Sequence, residues 1–496
     1  MSTPPTRLDA RLVRGFKDTG AADLRARARM VETIRGVYER YGFEPLETPA
    51  LEYVDVLGKF LPEQEKPDEG NFALKDADDQ WIALRYDLTA PLSRYVAENI
   101  QTLPMPFRRY QVGPVWRDEK PGPGRFREFY QFDVDTVGSA SMLADAENAM
   151  IMAEAMEALG FPAGDYAVRM NNRKVLDGVL ETIGLSAASG SAELGKSLTV
   201  LRAMDKFDRV GVEGVRLLLT AGRKDESGDF TPGAGLSAAQ ADSVLAYMGA
   251  GEAGKRRDIV ARLRDIVKAS AIGTEGVAEL EQIDAILTGA GLGENRVAFD
   301  PATVRGLAYY TGPVLEVALT FEIVDEKGQR KQVGSVAGGG RYDGLVSRFT
   351  DKKIPATGVS IGVDRLLAAL KISGRLKENV SSAPIVVLVM DRARLADYEI
   401  IATELRRAGL VAEVYLGEGG MKPQMRYADR RGAALAIIAG GDEFAANAVS
   451  IKDMRLGKEL SENVADNKEW RDKSRAQVTV PRGEMIARVR AMLAGS

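Results

Sequence analysis

The sequence predicts an α+β domain built on an antiparallel sheet, with a helical insertion and a separate C-terminal α/β domain. Three patterns support this fold class. Two strand-like segments, 109–117 and 125–137, flank a turn rich in proline and glycine, as in a β-hairpin. Residues from about 172 to 295 carry a mostly helical pattern. After the short linker 381–384, strands alternate with helices, which is typical of a parallel sheet.

The chain length agrees with this division, because 496 residues correspond to two to four domains of ordinary size. We expect the sheet domain to span 1–171 and 296–378, the insertion 172–295 and the C-terminal domain 383–496. The sequence contains no apolar run of about 18 residues, so we expect no membrane span. Its first residues include no apolar segment of the kind found in signal peptides. The expected location is therefore the cytoplasm.

The first predicted elements are a helix at 24–41 and an extended segment at 43–49. Apolar side chains recur along the helix at helical spacing, and Gly42 follows as a stop signal. Two prolines break the extended segment. The periodic positions of the helix are Leu24, Ala28, Val31, Ile34, Val37 and Tyr38.

The second strand of the hairpin separates its side chains onto two faces, because successive strand residues point in opposite directions. Phe126, Tyr130, Phe132 and Val134 form an apolar face. The opposite face combines arginine, amide and carboxylate groups with an aromatic ring. It is either exposed to solvent or part of a site for a polar substrate. This polar face carries Arg125, Arg127, Phe129, Gln131, Asp133 and Asp135.

The remaining elements follow in chain order. A helix rich in alanine and methionine is predicted at 141–160, before the insertion, and a strand at 313–324, after it. In the C-terminal domain the predicted segments are a strand at 385–390, a helix at 395–408, a strand at 411–416, a basic helix at 422–431 and a strand at 434–439.

Histidine and cysteine are both absent from the sequence, which excludes several kinds of site. No disulfide, Cys/His zinc site, cysteine nucleophile, Ser-His-Asp triad or histidine general base can form. Catalysis must therefore use carboxylates, lysines and arginines, hydroxyl groups, backbone dipoles or a metal held by carboxylates. The net charge of −4 argues against a general nucleic-acid coat protein but allows a local basic surface.

One motif suggests a different class of protein. Residues 190–197 (GSAELGKS) fit the phosphate-binding loop of P-loop NTPases. That loop needs a buried strand leading into it, so that backbone N–H groups point at the phosphates. The apolar residues of the preceding segment, 175–183, recur instead at helical spacing. We therefore interpret 190–197 as a connection between helices.

Four separated parts of the chain are rich in side chains that bind phosphate and carboxylate. Arginine suits planar, bidentate recognition of these groups, although a single arginine is more often a surface or structural residue. The segments are 84–89 (LRYDLT), the hairpin from Trp116 to Asp135, 305–312 (RGLAYYTG) with 337–344 (AGGGRYDG), and 358–366 (GVSIGVDRL).

In this order, the segments resemble those of class II aminoacyl-tRNA synthetases. Residues 42–52 resemble motif 1, which forms the dimer interface of that class, 117–131 resemble motif 2 and 358–365 resemble motif 3. Residues 305–312 and 337–345 are similar to two signature segments of the histidyl-tRNA synthetase family. The resemblance covers nearly the whole chain. It implies a class II catalytic domain and a C-terminal anticodon-binding domain.

The resemblance also implies a reaction, in which a homodimer ligates histidine to tRNA(His) with ATP as substrate and Mg²⁺ assisting. The histidine carboxylate attacks the α-phosphorus of ATP, and the adenylate then passes its acyl group to the 3′ end of the tRNA. By matching positions, the catalytic residues are Arg117, Arg305 and Gln131. The ATP-binding residues are Arg117, Glu119, Arg125, Phe129 and Arg365.

Matching positions imply a histidine site as well. Neutral imidazole offers one N–H donor and one acceptor, which a carboxylate and a tyrosine hydroxyl satisfy. A site built on such hydrogen bonds rejects apolar analogues by about 10⁴–10⁵, so no editing domain is required. The implied residues are Asp87, Thr89 and Gln131 for the α-ammonium, Arg305 near the carboxylate, and Asp135, Tyr309 and Tyr310 for the ring.

This chain departs from the pattern of the better-known bacterial members at several positions. Asp87 and Asp135 stand where we expect glutamate, so the backbone must approach the substrate more closely. Ala308 stands where we expect aspartate. Residues 120–124 are unlike the usual basic loop that reads the acceptor end, so we expect different rules for recognising tRNA(His).

tRNA binding would need a local basic surface. Lys422, Arg426, Arg430 and Arg431 on one predicted helix are candidates to face phosphates. A basic helix that only faces solvent would show the same sequence pattern, so this alternative stays open.

The resemblance leaves one rival, a paralogue that has lost aminoacylation and regulates ATP phosphoribosyltransferase. That paralogue lacks the anticodon-binding domain and has eroded signature segments. This chain keeps the signature residues and has more than 100 residues after the linker, which favours the ligase.

Overall fold

The computed structural model describes residues 8–57, 70–121, 126–185, 191–224, 228–304, 310–324, 330–375, 383–456 and 476–494. The chain divides into two compact units, Met1–Leu376 and Lys377–Ser496, and the described residues of each form a hydrophobic core. Among these residues, no helix is long and apolar enough to cross a membrane.

The first unit contains the main sheet and the insertion. Its helices are α1 (Ala21–Arg40), α2 (Val54–Leu57), α3 (Thr89–Asn99), α4 (Met142–Ala158), α5 (Arg173–Thr182), α6 (Ser191–Met204), α7 (Phe207–Leu219), α8 (Ala238–Gly249), α9 (Arg256–Val267), α10 (Ala271–Gly289) and α11 (Val363–Ile372). Its strands are β1 (Glu44–Pro45), β2 (Leu51–Tyr53), β3 (Ala73–Lys75), β4 (Trp81–Leu84), β5 (Phe107–Trp116), β6 (Glu128–Val137), β7 (Tyr166–Asn172), β8 (Gly222–Lys224), β9 (Phe230–Pro232), β10 (Val297–Phe299), β11 (Pro313–Val324), β12 (Arg330–Arg341) and β13 (Ala356–Gly362).

The main sheet has eight strands in the order β1-β5-β6-β13-β12-β11-β7-β10. The six inner strands pair antiparallel, which confirms the predicted sheet, while β1 and β10 pair in parallel at the two edges. The predicted hairpin is β5 and β6, and its observed ends lie within three residues of the predicted ones.

The two faces of β6 differ as the alternation predicts. On the apolar face, the ring of Phe132 contacts Tyr38 of α1 and Tyr110 of β5, with centroid distances of 4.8 and 5.9 Å. On the opposite face, Asp133 and Asp135 are each only 2% exposed. The polar face is therefore not an ordinary solvent-exposed surface, and its buried carboxylates need partners.

The insertion leaves the sheet at the end of β7 and returns at β10, which lies beside β7. Helices α5 to α10 confirm its predicted helical character, and the small hairpin of β8 and β9 is an addition that the sequence pattern did not predict. Residues 191–197 lie in helix α6, and the preceding described element is helix α5. No described strand enters this segment, as the interpretation against a P-loop requires. Gly190 lies outside the described residues.

The second unit contains β14 (Ile385–Val387), α12 (Leu395–Arg407), β15 (Ala412–Val414), α13 (Met421–Arg430), β16 (Leu435–Ile438), α14 (Gly441–Ala445), β17 (Ala448–Asp453), β18 (Gln477–Pro481) and α15 (Met485–Ala494). Its sheet order is β15-β14-β16-β17-β18. The three predicted strands are parallel, as expected, and β17 and β18, which the sequence pattern did not predict, add an antiparallel edge. The five-residue helix α14 is too short for the crossover that a parallel β17 would need.

Candidate active site

A cavity of about 650 Å³ lies on the polar face of the main sheet. It is lined by residues of β6, β12 and β13 and by the segments that enter α3 and α11. The cavity therefore brings together the parts of the chain that the sequence singled out for phosphate and carboxylate binding. The predicted site residues on its wall are Asp87, Thr89, Arg117, Glu119, Phe129, Gln131, Tyr310 and Arg365.

The other predicted site residues are not on this wall. Arg125, Arg305 and Tyr309 lie outside the described residues. Asp135 is described, but it is buried and does not line the cavity. Conversely, Asp133 and Ser360 line the cavity, although the family resemblance gave neither a role; the alternation of the strand had placed Asp133 on the polar face.

Arg117 follows the last residue of β5 and is held by two backbone contacts. Its N–H donates to Arg127 O across the hairpin (2.9 Å), and its Nε donates to Tyr86 O (3.2 Å). Its guanidinium carbon lies 5.1 Å from the centre of the Phe129 ring. The cation thus lies over an aromatic ring on the cavity wall, so a phosphate-binding group and a surface for stacking occur together.

A second cation, Arg365, lies in the first turn of α11, where its Nη1 donates to Ser335 O of β12 (2.7 Å). The neighbouring Asp364 connects three parts of the chain. Its Oδ2 accepts the N–H of Tyr130 (2.8 Å), and its Oδ1 pairs with Lys17 Nζ (2.9 Å). These contacts fix the start of α11 against β6 and the N-terminal segment.

Asp87 precedes helix α3 and caps its first turn. Its Oδ1 accepts the N–H groups of Thr89 (3.1 Å) and Ala90 (2.9 Å). Burial raises the pKa of the Asp87 carboxyl, while these N–H groups and Arg117 act in the opposite direction. Asp87 therefore has a structural role in addition to its position on the cavity wall.

A chain of polar groups crosses the cavity floor from β6 to β13. Gln131 Nε2 donates to Ser360 Oγ (2.8 Å), and Ser360 acts to lower the pKa of the Asp133 carboxyl against the larger effect of burial. Gln131 Oε1 and Asp133 Oδ1 are buried and have no hydrogen-bond partner among the described residues. The floor therefore presents two unsatisfied acceptors.

Asp135, two residues further along β6, is held by protein groups. Arg109 Nη2 lies 2.8 Å from Asp135 Oδ2, and the Tyr342 hydroxyl donates to Asp135 Oδ1. Arg109 is completely buried. Gly358 of β13 pairs with Asp135, and a Cβ at this glycine would overlap Asp135 Oδ1, so the carboxylate packs directly on the neighbouring backbone.

The two aspartates of β6 are electrostatically linked. Burial raises the pKa of both carboxyls, and the charge of Asp135 raises that of Asp133 further, whereas Arg109 opposes both shifts. Among the described residues, no group of three or more acidic side chains is arranged to hold a metal ion.

Comparisons with known proteins agree with this geometry. The family model for histidyl-tRNA synthetase matches residues 15–366, and the model for the anticodon-binding domain matches residues 384–492. The histidine–tRNA ligase of Rhizobium meliloti is 54% identical over 491 residues, which cover 98% of this chain and 96% of that protein. The corresponding ligase of Caulobacter vibrioides is 52% identical over 489 residues, covering 99% and 98%.

Solved structures give the same result. A histidyl-tRNA synthetase from a Nostoc species superimposes with a TM-score of 0.71 at 29% identity, covering 98% of this chain and all of that one. An ATP phosphoribosyltransferase regulatory subunit/histidyl-tRNA synthetase from Bacillus halodurans gives a TM-score of 0.63 at 21% identity, covering 85% and 97%. At that identity the second likeness shows a shared fold alone.

Proposed function

This chain belongs to the histidyl-tRNA synthetase family and acts as a histidine–tRNA ligase, and we propose that its reaction takes place in the 650 Å³ cavity. In the first step, a carboxylate oxygen of histidine bonds to the α-phosphorus of ATP and the bond to pyrophosphate breaks. In the second, the 3′-terminal hydroxyl of tRNA(His) takes the histidyl group and AMP leaves. The observation that carries this proposal is the convergence of Arg117, Gln131 and Arg365 on one cavity.

The chain supplies positioning and positive charge for the first step, since phosphoryl-type transfer depends mainly on these. In our proposal, Arg117 binds the α-phosphate and the attacking carboxylate. Arg365 binds the terminal phosphates and encloses the adenine with Phe129, while Glu119 and Arg125 contact ATP. Mg²⁺ would enter bound to the phosphates of ATP, as is usual for this ion.

For histidine, we propose that Asp87, Thr89 and Gln131 surround the α-ammonium group. The ring then points toward Tyr310 and the end of β6 that carries Asp135, with Tyr309 nearby. The unsatisfied Oε1 of Gln131 supports this orientation, because an ammonium group supplies the donor that this buried oxygen lacks among the described residues. Arg305, near the substrate carboxylate, would complete the site.

For tRNA, we propose that residues 383–496 bind the anticodon and that α13 contributes phosphate contacts. Residues 1–171 with 296–378 would form the catalytic domain, and 172–295 the helical insertion. Because aminoacyl-tRNA feeds translation, we place the enzyme in the cytoplasm.

We also propose a homodimer formed through residues 42–52. The small sheet β2-β4-β3 supports this, because its side chains Leu51, Tyr53, Leu74 and Trp81 are exposed. Sedimentation equilibrium of the purified protein would test it, and a monomer at micromolar concentration would contradict it.

The test of the activity is ATP–pyrophosphate exchange by purified protein. We expect exchange with histidine and not with other amino acids. Exchange that is absent, or equal with another amino acid, would contradict the proposal. Histidine binding without exchange would instead favour a regulatory paralogue.

Arg305→Ala tests the role of one predicted residue. We expect nearly complete loss of exchange, because in our proposal, which follows the family resemblance, this cation stabilises the charge that develops in the first step. The thermal unfolding temperature should stay the same. Near-normal exchange would refute the assigned role.

A further inference from the structure

An asparagine near the end of β7 holds the chain just before Arg305. Asn171 is 3% exposed, and its Nδ2 donates to Pro301 O (3.1 Å) and to Thr303 O (3.0 Å). Val304, the next residue, is buried in the core of the first unit. The chain is therefore fixed up to the residue that precedes Arg305.

The same part of the chain holds the backbone just after Tyr310. The N–H of Arg173, the first residue of α5, donates to Gly312 O (2.8 Å). Tyr310 lines the cavity. Three consecutive residues, 171–173, therefore hold both ends of the segment 304–312. We call these three the anchor residues.

The anchor residues are held in turn by two helices of the insertion. Tyr247 of α8 is completely buried, and its hydroxyl donates to Asn171 Oδ1 (3.0 Å) and lies 2.8 Å from Asn171 Nδ2. Asn172 Nδ2 donates to Gly276 O (3.2 Å) and to Glu279 Oε2 (2.7 Å) of α10. The insertion is thus connected by hydrogen bonds to both ends of the segment.

We propose that the helical insertion positions the segment 304–312 at the active site, and that Tyr247 and Asn171 are positioning residues in this connection. The inference rests on the proposed function, since it takes Arg305 and Tyr310 as residues of the histidine site. Neither Tyr247 nor Asn171 lines the cavity, so both act through the backbone that they hold.

The chemistry of the connection explains why one hydroxyl matters. A buried amide needs partners for its oxygen and for its NH₂ group. The Tyr247 hydroxyl meets both groups of Asn171, because a phenol can donate and accept at once. These two contacts fix the orientation of the amide, and with it the NH₂ group that holds Pro301 and Thr303.

The test is the kinetics of ATP–pyrophosphate exchange by the full-length variants Tyr247→Phe and Asn171→Leu. We expect kcat/KM for histidine to fall by roughly 10-fold in the first and roughly 100-fold in the second, since a misplacement of about 1 Å costs about 100-fold. KM for histidine should rise, whereas KM for ATP should change little. Loss of folded protein alone would move neither KM.

Tyr166→Phe is the matched control. Tyr166 lies at the opposite end of β7, is 1% exposed and donates its hydroxyl to Glu157 Oε1 (2.8 Å). We expect it to lower the unfolding temperature about as much as Tyr247→Phe does, because each removes one buried hydroxyl, but to leave the kinetics unchanged. An equal rise of KM for histidine in both variants would overturn the proposal.

The double variant shows whether the two side chains act in one connection. If Tyr247 acts through Asn171, adding Tyr247→Phe to Asn171→Leu should cause no further loss. Losses that multiply would contradict this. If Asn171→Leu does not fold, Tyr247→Phe and its control carry the test.

Hydrogen–deuterium exchange provides a readout that needs no catalytic activity. Backbone amides of peptides that cover 300–312 should exchange faster in Tyr247→Phe than in the wild type or in Tyr166→Phe. If this occurs and the wild type catalyses no pyrophosphate exchange, the ligase proposal fails and the positioning role stands. If the wild type is active and Tyr247→Phe matches it in kinetics or in these peptides, the positioning role fails and the ligase proposal stands.

Discussion

At the scale of single residues, the site depends on how buried charges are paired. Arg109 and Arg341 are nearly inaccessible to solvent, and each pairs with a buried aspartate, Asp135 and Asp145 respectively. Removing one member of such a pair leaves an uncompensated charge, which is strongly destabilising. Asp133 differs, because no ion pair holds its carboxylate among the described residues, and its buried Oδ1 has no hydrogen-bond partner there.

That difference predicts how stability depends on pH. Burial and Asp135 raise the pKa of Asp133 above its value in the unfolded chain, which is about 4. The folded state therefore binds more protons than the unfolded state between these two values. Stability falls as the pH rises through this window.

We expect Asp133→Asn to remove this loss, since an amide does not titrate. In the absence of histidine, the variant should unfold at nearly the same temperature as wild type at pH 4. At pH 8 it should unfold a few degrees higher, for a gain of about 1–3 kcal/mol. Thermal unfolding at the two pH values would show it, and a variant less stable than wild type at pH 8 would contradict it.

At the scale of elements, local pattern predicted the hairpin and the helices well. The alternation in β6 placed Phe132 and Val134 in the core and Gln131 and Asp133 on the cavity side, as observed. It did so because side-chain direction in a strand has a fixed period of two. The antiparallel edge of the second sheet was missed, because pairing direction depends on the connection after β16.

At the start of α3, Asp87 caps the helix and, in our proposal, also binds the ammonium group of histidine. Two substitutions should separate these roles. Asp87→Ala removes the acceptor for the N–H groups of Thr89 and Ala90, so we expect it to lower the free energy of unfolding by about 1 kcal/mol. We also expect this variant to lose histidine binding. Asp87→Asn can still cap the helix but lacks the charge for an ammonium group. Asp87→Asn should be as stable as wild type but should bind histidine more weakly than wild type does. Chemical denaturation and calorimetry would measure the two effects, and equal binding in Asp87→Asn and wild type would count against the ammonium role.

Helix α13 presents three cations on one side. Lys422, Arg426 and Arg430 are exposed at i, i+4 and i+8, whereas Arg431 is held by two hydrogen bonds of 2.9 Å to Glu413. Only the first three are therefore expected to be available to phosphates.

The triple variant with alanine at 422, 426 and 430 should bind tRNA(His) more weakly. The slope of log affinity against log salt should become shallower by about 0.7 to 0.9 for each phosphate that the variant no longer neutralises. Exchange of pyrophosphate should not change, because it needs no tRNA. Arg431→Ala is the matched control and should have only a small effect on tRNA affinity. Unaltered tRNA affinity in the triple variant would show that this face of α13 does not bind tRNA.

At the scale of the whole molecule, the absence of histidine can be related to the reaction that the protein catalyses. The cavity uses arginines, carboxylates, amides and hydroxyls, so the chemistry needs no histidine side chain. A ligase without histidine can also be synthesised when charged tRNA(His) is scarce.

We expect that adding histidines lowers the synthesis of this protein under histidine starvation. Suitable exposed positions are Arg257, Lys268 and Arg488, and glutamine at the same positions is the control. Pulse labelling should show a deficit for the histidine variant in starved cells and none in cells with ample histidine. Equal synthesis of the histidine and glutamine variants during starvation would contradict this explanation for the absence of histidine.

The sequence by itself determined the chemical groups available and the face of each strand on which they lie, because both follow from composition and local periodicity. Only the tertiary structure decided which of two similar aspartates reaches the cavity. Asp135 is withdrawn by Arg109, Tyr342 and Gly358, which lie on neighbouring strands or just beyond them. Tyr342 is 207 residues away along the chain. Such partners are set by strand register across the sheet, and no local pattern around Asp133 and Asp135 contains that information.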